Sequence, residues 1–560
     1  MILAPRERIA DYTARGWWGT RRIHDWLDDA VQTRPEAEAL VDAPNRSDFI
    51  DGAPKRLTWR QVESEAQRFA ARFLDLGLAK DDIVCVQLPN CVELPILYLA
   101  CAKLGLIVTP VPVQYREHEL EHILALTAPR VVVTAQRILR HRHADMMRSL
   151  AMRHASIEVV IAIDEERIGR IDAEQIARHE RERPVDANEI FTICWTSGTE
   201  GVPKGVPRSH NEWLAIPENI ILSGGLQPGC HLLNAFPLVN MAGIAGQFLP
   251  WLQTGAKLVM HHPFNLTVFL DQVRGENIDY TVAAPAILAT LAQNPDLMRG
   301  IPGSRLRAIG SGGGPLAEWT VKFFTERYAI DVINYFGTNE GASLTASSLD
   351  LPDPAMRASY FPRFGVEGYE WKLPVAKRVF TRLVDPDTGM DIDSPGKPGE
   401  LRVKGPAIFS GYFRSPEMTA RAFDEQDYYR TGDLFEIAGH DNELYRFVGR
   451  LKDIIVRGGF NISSEELEAL LLAHPAVREA AVVGYPDDTL GERVCAVVAL
   501  QAGAAFDLAE LVAFLRTEKK VASYKLPERL LVLEALPRNP VGKVLKRDLR
   551  QAVAASGNRP

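Results

Sequence analysis

Along most of the chain, short runs of β-branched residues alternate with longer stretches in which apolar residues recur every three or four positions. The run Ile83–Leu88 follows an amphipathic stretch that begins after Thr58, and Ile107–Val113 follows the apolar stretch Leu94–Leu104. A short apolar run indicates a strand, whereas an apolar period of about 3.6 residues indicates a helix. Strands that alternate with helices predict an α/β fold with layered, largely parallel sheets.

The pattern changes towards the C-terminus. Turn residues cluster at Asp385–Gly389 and Ser394–Gly399 between short strands, which favours a β-rich subdomain. After Arg450 a compact pattern of helices and strands begins anew over about a hundred residues. We therefore predict a large N-terminal domain, residues 1–450, and a small C-terminal α+β domain, residues 451–560.

Two stretches give less regular patterns. Residues 17–30 predict an amphipathic helix with Thr20 as its N-cap. Residues 138–186 are rich in Arg, His and Glu, which is typical of solvated helices and connections. We expect His141, His143 and His154 to lie at the surface.

Composition narrows the class of protein. Of 560 residues, 46% are hydrophobic and 24% are charged, which is ordinary for a soluble globular protein. The formal net charge of −8 argues against a broad surface for nucleic acid or anionic membranes, which would be basic. The six cysteines form no CxxC pair, and most have apolar neighbours, so we expect buried free thiols rather than disulfides or a zinc site.

Nothing in the sequence predicts a membrane span. Met1–Arg8 holds too short an apolar run for a signal peptide. Lys103 interrupts the apolar segment Leu94–Val113, and prolines close it, so a buried helix that leads into a strand is the better interpretation. We expect a cytoplasmic protein.

The stretch richest in chemistry follows the predicted strand Ile190–Trp195. It is a loop of glycines, hydroxyls and one lysine; these include Thr196, Ser197, Gly198, Thr199 and Lys204. Glycines let backbone N–H groups surround an anion, and the hydroxyls and the ammonium add donors, which suits a polyphosphate. An ordinary polar turn would explain the glycines but not the other groups. The loop is not a Walker A motif, because Lys204 follows Pro203.

This loop resembles the phosphate loop of the adenylate-forming superfamily, which includes acyl-CoA synthetases, aryl-acid ligases, peptide-synthetase adenylation domains and luciferases. Glu200 departs from the pattern, since it stands where a threonine or serine is common. Other stretches match the same superfamily in its order and spacing, from about residue 20 to residue 550. The resemblance implies binding of ATP, Mg²⁺ and coenzyme A.

Two matching stretches imply nucleotide contacts in the large domain. Ser311–Pro315 resembles the adenine-pocket loop, which contains Gly312, Gly313 and Gly314. In Asn334–Gly341 the resemblance places Phe336 on the adenine ring and Glu340 at Mg²⁺, and it places Asn339 where a threonine meets the α-phosphate. Read alone, Gly312–Ala317 also satisfies a loose dinucleotide fingerprint, which leaves a Rossmann oxidoreductase as a distant alternative.

Three further matches lie towards the C-terminus. The resemblance implies that Asp433 and Arg450 contact the ribose of ATP. It also implies that Lys543 lies between the substrate carboxylate and the α-phosphate. It makes Lys452–Asp453 the hinge of a mobile small domain, and it places Gly458 and Gly459 along the path of the thiol. Val541 replaces the usual serine beside Lys543.

We interpret the sequence as an acid–thiol ligase that forms an acyl-adenylate and then a CoA thioester. The predicted acyl pocket is mostly small or apolar and favours a hydrophobic alicyclic, aromatic or medium-chain acid; it comprises Phe236, Asn240, Met241, Ala242 and Ala283. The alternative is an aryl-acid–AMP ligase that loads a carrier-protein thiol, which Tyr12–Trp18 and Val86–Asn90 favour. Asn240 and Met241 oppose it, since the aryl-acid branch has a His-Asn pair there. Association into a homodimer stays open.

Overall fold

The computed structural model describes residues 1–165, 171–196, 203–301, 305–457, 460–487, 489–519, 521, 523–539 and 542–556. The chain forms two compact units. The first comprises Met1–Ala358, Phe364–Phe380 and Val403–Tyr429, and the second comprises Ser359–Arg363, Thr381–Arg402 and Arg430–Pro560.

The first unit contains an eight-stranded sheet. Its six inner strands are parallel and its two edge strands antiparallel. In spatial order the strands are Ser343–Ala346, Asp331–Gly337, Ala308–Gly312, Tyr280–Val282, His231–Asn234, Lys257–Met260, Glu38–Val41 and Arg56–Thr58. Apolar clusters cover both faces of this sheet, as is usual for parallel sheets.

A second, six-stranded sheet lies in the same unit, and five of its strands are parallel. Its order is Val159–Ala162, Val131–Thr134, Ile83–Val86, Ile107–Pro110, Ile190–Thr196 and Lys204–Ser209. The last two strands form an antiparallel hairpin in which Thr196 pairs with Lys204.

Helices connect these strands, as the alternation predicts. The α-helices of the first unit are Arg6–Ala14, Asp25–Thr33, Arg46–Phe49, Trp59–Asp75, Glu93–Leu104, Glu117–Thr127, His143–Ala151, Ala173–Glu182, His210–Leu214, Pro217–Ser223, Met241–Gly243, Leu249–Thr254, Leu266–Gly275, Pro285–Gln293, Glu318–Tyr328, Pro354–Ser359 and Pro416–Ala422. The helix Pro354–Ser359 ends one residue beyond Ala358, the boundary of the unit. A π-helical turn, Ile244–Phe248, joins two of them, and short 3₁₀ turns span Pro295–Met298 and Pro374–Lys377.

The second unit holds two smaller sheets. One is six-stranded, in the order Tyr360–Pro362, Leu444–Arg450, Tyr429–Ala438, Gly399–Lys404, Phe380–Val384 and Asp391–Ile392. The other is five-stranded, in the order Phe460–Ile462, Ile455–Arg457, Gly491–Leu500 and Val477–Asp487, with Arg529–Val532 also paired to Gly491–Leu500. The helices are Ser464–Leu472, Leu508–Thr517 and Lys546–Ser556, with 3₁₀ turns at Leu451–Asp453 and Ser523–Lys525.

These observations confirm the predicted α/β class, with its β-rich and α+β parts. Thr58 caps the helix Trp59–Asp75 through a capping box in which Gln61 donates its N–H to Oγ1 of Thr58. The helix Glu93–Leu104 is buried on every side and leads into a strand, as predicted. All six cysteines are buried free thiols. In the described part of the chain, no helix is long and apolar enough to cross a membrane.

Two local predictions are wrong, and a third, for residues 138–186, is incomplete. The first amphipathic helix starts at Asp25, not after Thr20, because the Asp25 carboxylate takes the Arg22 N–H and holds the preceding residues in a turn. Residues 138–186 include the parallel strand Val159–Ala162, whose burial depends on its neighbour in the sheet. His143 is buried, and its Nε2 lies 2.8 Å from the carbonyl oxygen of Val113.

Candidate active site

The predicted phosphate loop joins the two strands of a hairpin. Thr196 ends one strand and Lys204 begins the next, so the two residues face each other across the base of the loop. Gly205 is closely packed there, since an added Cβ would lie 3.1 Å from Ile193 Cγ2. Ser197, Gly198, Thr199 and Glu200 lie outside the described residues, and their predicted roles stay predictions.

Asn339 ties three parts of the first unit together. Its Nδ2 donates to the carbonyl oxygen of Trp195 at 3.2 Å, one residue before the phosphate loop. Its Oδ1 accepts the N–H of Met241 at 2.9 Å, in the segment predicted to line the acyl pocket. The asparagine therefore joins the phosphate-loop hairpin, the predicted pocket and Glu340, its chain neighbour.

Glu340 is almost completely buried, and Tyr412 holds its carboxylate. The Tyr412 hydroxyl donates to Oε1 at 2.9 Å, and the Phe409 N–H donates to the Glu340 carbonyl oxygen at 2.9 Å. Burial and the neighbouring carboxylate raise the pKa of Tyr412 well above its ordinary value, so the hydroxyl keeps its proton. The Lys204 ammonium lies 5.3 Å from the centre of the Tyr412 ring. Tyr412 thus stands between the two predicted charged groups.

The Glu340 carboxylate fits the role of a magnesium ligand. Tyr412 donates to Oε1, and an ionised carboxylate can accept several further bonds. Among the described residues no cluster of three His, Cys, Asp or Glu side chains could hold a metal. A single carboxylate is consistent with Mg²⁺, which is usually bound by one or two carboxylates together with substrate phosphates.

Sequence reasoning missed a buried cation behind this site. Arg208 is completely buried; it donates to the carbonyl oxygens of Asn339 at 3.1 Å and Glu212 at 2.7 Å, and it stacks on Trp213. Desolvation lowers its pKa to about 10, so it stays charged at neutral pH. Arg208 therefore fixes the backbone that carries Glu340. A charged residue within a buried hairpin strand was the only signal in the sequence.

The predicted adenine loop and stacking ring lie on neighbouring strands. Gly312 ends the strand Ala308–Gly312 opposite Tyr335, and an added Cβ would lie 2.3 Å from the Tyr335 carbonyl oxygen. Gly313 has a φ of +79°, which favours glycine. Phe336 follows Tyr335 and is half-buried, so the strands bring the loop and the ring side by side.

The structure divides the predicted acyl pocket. Phe236 and Met241 pack at the edge of the apolar cluster on one face of the eight-stranded sheet, whereas Ala283 is buried in the cluster on the other face. Ala242 follows Met241 and is half-buried. Asn240 uses its Oδ1 to accept the N–H of Gly243 at 3.2 Å, as the cap of a short helix.

Asn90 and Tyr98 form hydrogen bonds with the backbone of the predicted pocket segment. This role was not predicted from the sequence for either residue. Asn90 donates to the Phe236 carbonyl oxygen at 2.9 Å and accepts the Leu238 N–H at 3.2 Å. The buried Tyr98 hydroxyl donates to the Leu238 carbonyl oxygen. Both residues thus fix the backbone of the segment that begins at Phe236. This use of Asn90 is a structural reason for the Val86–Asn90 motif that does not depend on an aryl acid.

In the second unit, Asp433 and Arg450 face each other on paired strands. Arg450 Nε donates to Oδ1 of the buried Asp433 at 2.9 Å. Thr431 accepts the Asp433 N–H at 3.1 Å, and Glu400 accepts the Gly432 N–H at 3.2 Å. A carboxylate held in this way has oxygens that can accept bonds from hydroxyl groups.

Lys543 belongs to the same group of charges. Its N–H donates to Asn539 Oδ1 at 2.8 Å, and its carbonyl oxygen accepts the Asn539 N–H at 2.8 Å. Lys543 is an exposed residue, yet protein around its ammonium partly desolvates it and lowers its pKa to about 8. Arg450 and Lys452 lower it further, and Asp433 opposes them.

The predicted hinge is a 3₁₀ turn, Leu451–Asp453, and its motion stays a prediction. The Asp453 carboxylate accepts Arg550 at 2.8 Å. Gly458 and Gly459 lie outside the described residues. Within the second unit, Asp433 and Arg450 form an ion pair, the turn Leu451–Asp453 follows Arg450, and the charges of these residues act on the Lys543 ammonium.

Two family models match the chain. "AMP-binding enzyme" matches residues 27–413, and "AMP-binding enzyme C-terminal domain" matches residues 466–543. The chain therefore belongs to the AMP-binding enzyme family, within the adenylate-forming superfamily. It is an acid–thiol ligase of the AMP-forming acyl-CoA synthetase type, and the oxidoreductase alternative is set aside.

The chain is similar over its whole length to characterised ligases. It is 30% identical to the medium-chain fatty-acid–CoA ligase of Escherichia coli, over 98% of this chain and 93% of that protein. It is 29% identical to the salicyl-AMP ligase/salicyl-S-ArCP synthetase of Mycobacterium tuberculosis, over 99% of this chain and 94% of that protein. The crystal structure of ATP-bound MatB from Rhodopseudomonas palustris superposes with a TM-score of 0.79 at 25% identity, over 95% of this chain and 99% of that one.

Proposed function

We propose that the protein activates a hydrophobic carboxylic acid with ATP and transfers the acyl group to coenzyme A. In the first half-reaction a carboxylate oxygen bonds to the α-phosphorus, and the bond from that phosphorus to the pyrophosphate oxygen breaks. In the second, the thiol sulfur bonds to the acyl carbon, AMP leaves and the thiol proton is released. The family match and the preserved Lys543 support this order of events.

Charge explains the roles of the residues in the first unit. A carboxylate and a polyphosphate are both anions, so their approach must be compensated. Lys204 supplies a positive charge to the outer phosphates. Glu340, held by Tyr412, would hold Mg²⁺, which on binding spreads negative charge on the phosphates. No general base is needed, because the substrate carboxylate is already ionised at neutral pH.

The second unit contributes a carboxylate and a cation. Asp433 accepts the ribose hydroxyls, and Arg450 orients that carboxylate through their ion pair. Lys543 neutralises the charge that develops between the carboxylate and the α-phosphate. A lysine with a pKa of about 8 is still mostly charged at neutral pH, as this role requires.

The surroundings of Asn240 and Met241 support a particular class of acid substrate and of thiol acceptor. The Asn240 side-chain oxygen is engaged as a helix cap, and Met241 Cγ lies 3.8 Å from the position of an added Cβ at Gly337. Neither group is suited to bind a ring hydroxyl, since the thioether is at best a weak acceptor. This favours a hydrophobic acid without a hydroxyl next to the carboxyl group. It therefore also favours a CoA ligase over the aryl-acid ligase that loads a carrier protein.

A panel of acids tests the proposal. Medium-chain, alicyclic and benzoic acids, together with salicylate as the hydroxylated counterpart of benzoate, are assayed for pyrophosphate release, first without and then with CoA. We expect benzoate or an aliphatic acid to exceed salicylate, and the thioester to appear by mass spectrometry. Preferred activation of salicylate with no CoA thioester would instead support the aryl-acid ligase that loads a carrier-protein thiol.

A further inference from the structure

The C-terminal helix, Lys546–Ser556, begins three residues after Lys543, and its first turn is anchored by a buried ion cluster. The Lys546 ammonium lies 2.7 Å from Ser464 Oγ, 2.8 Å from Glu468 Oε1 and 3.3 Å from Glu465 Oε1. An ammonium has three protons to donate, so these acceptors account for all of them. The side chains of Lys546, Glu465 and Glu468 are each less than 15% exposed.

The acidic partners of Lys546 belong to one helix, Ser464–Leu472. Glu465 and Glu468 are three positions apart and therefore share a face. Glu468 also accepts the Val482 N–H at 2.8 Å, which ties the cluster to the five-stranded sheet. Burial raises the pKa of Glu468 to about 7; burial alone would lower the pKa of Lys546, but the two glutamates raise it overall. Loss of Lys546 would leave two buried carboxylates without a cation.

The same face of the C-terminal helix also contacts the segment Lys452–Asp453, directly and through Ser464. The Ser464 hydroxyl, which accepts from Lys546, lies 3.1 Å from the carbonyl oxygen of Asp453. Arg550, one helical turn after Lys546, donates to Asp453 Oδ1 at 2.8 Å and to the Lys452 carbonyl oxygen at 3.4 Å. Two basic residues of one helix face thus brace Lys452 and Asp453.

We propose that Lys546 is a positioning residue for Lys543: it fixes the start of the C-terminal helix against the segment Lys452–Asp453 and so fixes the position of Lys543, three residues before it. Only two residues separate Lys543 from Lys546, and Asn539 clamps the Lys543 backbone on the other side. A displacement of the helix start must therefore move Lys543 relative to its charged neighbours. The proposal rests on the proposed function only for the catalytic consequence.

The first experiment needs no acid substrate. The pH dependence of Lys543 acylation by trace acetic anhydride, read by mass spectrometry on the full-length protein, gives the pKa of its amine. We expect a midpoint near pH 8 in the wild type. The Lys546→Met variant should raise it towards the ordinary value of 10.5, because a displaced amine would lose first the surrounding protein that desolvates it and then the nearby cations. Lys546→Arg should keep the low midpoint.

Two further variants control for folding. Arg547→Met removes the adjacent cation, which is 67% exposed, and should leave the midpoint unchanged. The double variant Lys546→Met/Glu468→Gln removes the buried cation together with one of its anions, so it should fold better than the single variant. We expect it to show the raised midpoint as well. An unchanged midpoint in a folded Lys546→Met or double variant would overturn the proposal, as would an ordinary midpoint in the wild type.

The second experiment measures the two half-reactions separately with an acid found by the panel. In Lys546→Met, pyrophosphate exchange should fall about tenfold to a hundredfold, while thioester formation from supplied acyl-adenylate stays within about twofold. Lys546→Arg should restore exchange. Equal loss of both half-reactions would make Lys546 merely structural and overturn the proposal. An inactive wild type with a midpoint near pH 8 that shifts as expected would refute the proposed function and leave the positioning role intact.

Discussion

The pKa of Lys543 predicts a specific pH profile for adenylation. The perturbation is pH itself, with Lys543→Arg as the comparison. Lys543 must carry a proton to neutralise charge between two anions, and its pKa is about 8. The charged fraction is therefore about nine-tenths at pH 7 and about one-tenth at pH 9. We expect kcat/KM for pyrophosphate exchange, which reports free-enzyme pKa values, to fall about tenfold between those pH values.

The pH profiles of two Lys543 variants distinguish the titration of this lysine from that of other groups. A lysine with the ordinary pKa of 10.5 would stay charged at pH 9 and give a flat profile. Lys543→Arg should be slower than the wild type but flat over this range, since a guanidinium does not titrate there. Lys543→Ala should lose about a hundredfold to a thousandfold in exchange at every pH, yet still form thioester from supplied acyl-adenylate.

The assay is isotope exchange between pyrophosphate and ATP at constant ionic strength, from pH 6.5 to about 9.5. The melting temperature is measured at each pH to exclude unfolding. A wild-type profile that is flat to pH 9 would refute the assigned environment of Lys543. An identical alkaline fall in Lys543→Arg would show that another group titrates.

Three shorter predictions concern other positions. Lys204→Ala should weaken ATP binding by calorimetry without lowering the melting temperature; a collapse in stability with unchanged affinity would contradict its role. Gly341→Ala should destabilise the fold by at least about 2 kcal/mol in denaturant unfolding, because φ is +102° and an added Cβ would lie 1.8 Å from the Ala407 carbonyl oxygen. Gly389→Ala, also at positive φ but with open space around it, is the matched control and should lose clearly less. Asp453→Pro should uncouple the two half-reactions by fixing φ; a folded Asp453→Pro enzyme in which both half-reactions run at wild-type rates would end the hinge hypothesis.

Local chemistry explains which parts of the fold could be predicted. The Thr58 cap depends on residues within one helical turn, so the sequence contained all the information needed. His143 was wrongly placed because its burial depends on Val113, thirty positions away, to which its ring is hydrogen-bonded. Composition within a polar stretch does not report such a contact.

The candidate site divides in the same way. Glu340 and Lys543 could be named from motifs, since each lies in a short stretch of characteristic residues. Tyr412 and Arg208 could not, because their roles depend on contacts with Glu340 and Asn339 that are more than seventy positions distant. Asn90 belonged to a recognised motif, but its bond to the Phe236 carbonyl oxygen is visible only in three dimensions.

The apolar helix Glu93–Leu104 makes biosynthesis of this protein demanding. Every residue of the helix but Lys103 is buried, and Tyr98 packs against Phe191 with ring centres 5.9 Å apart. Phe191 is translated roughly ninety residues after the helix, which at ribosomal speed takes about 5 to 20 seconds. During that time the helix can pack on the earlier helix Trp59–Asp75, but its face towards Phe191 stays uncovered and can bind chaperones or other unfolded chains. We therefore expect coexpressed chaperones to raise the yield of folded protein in a heterologous host.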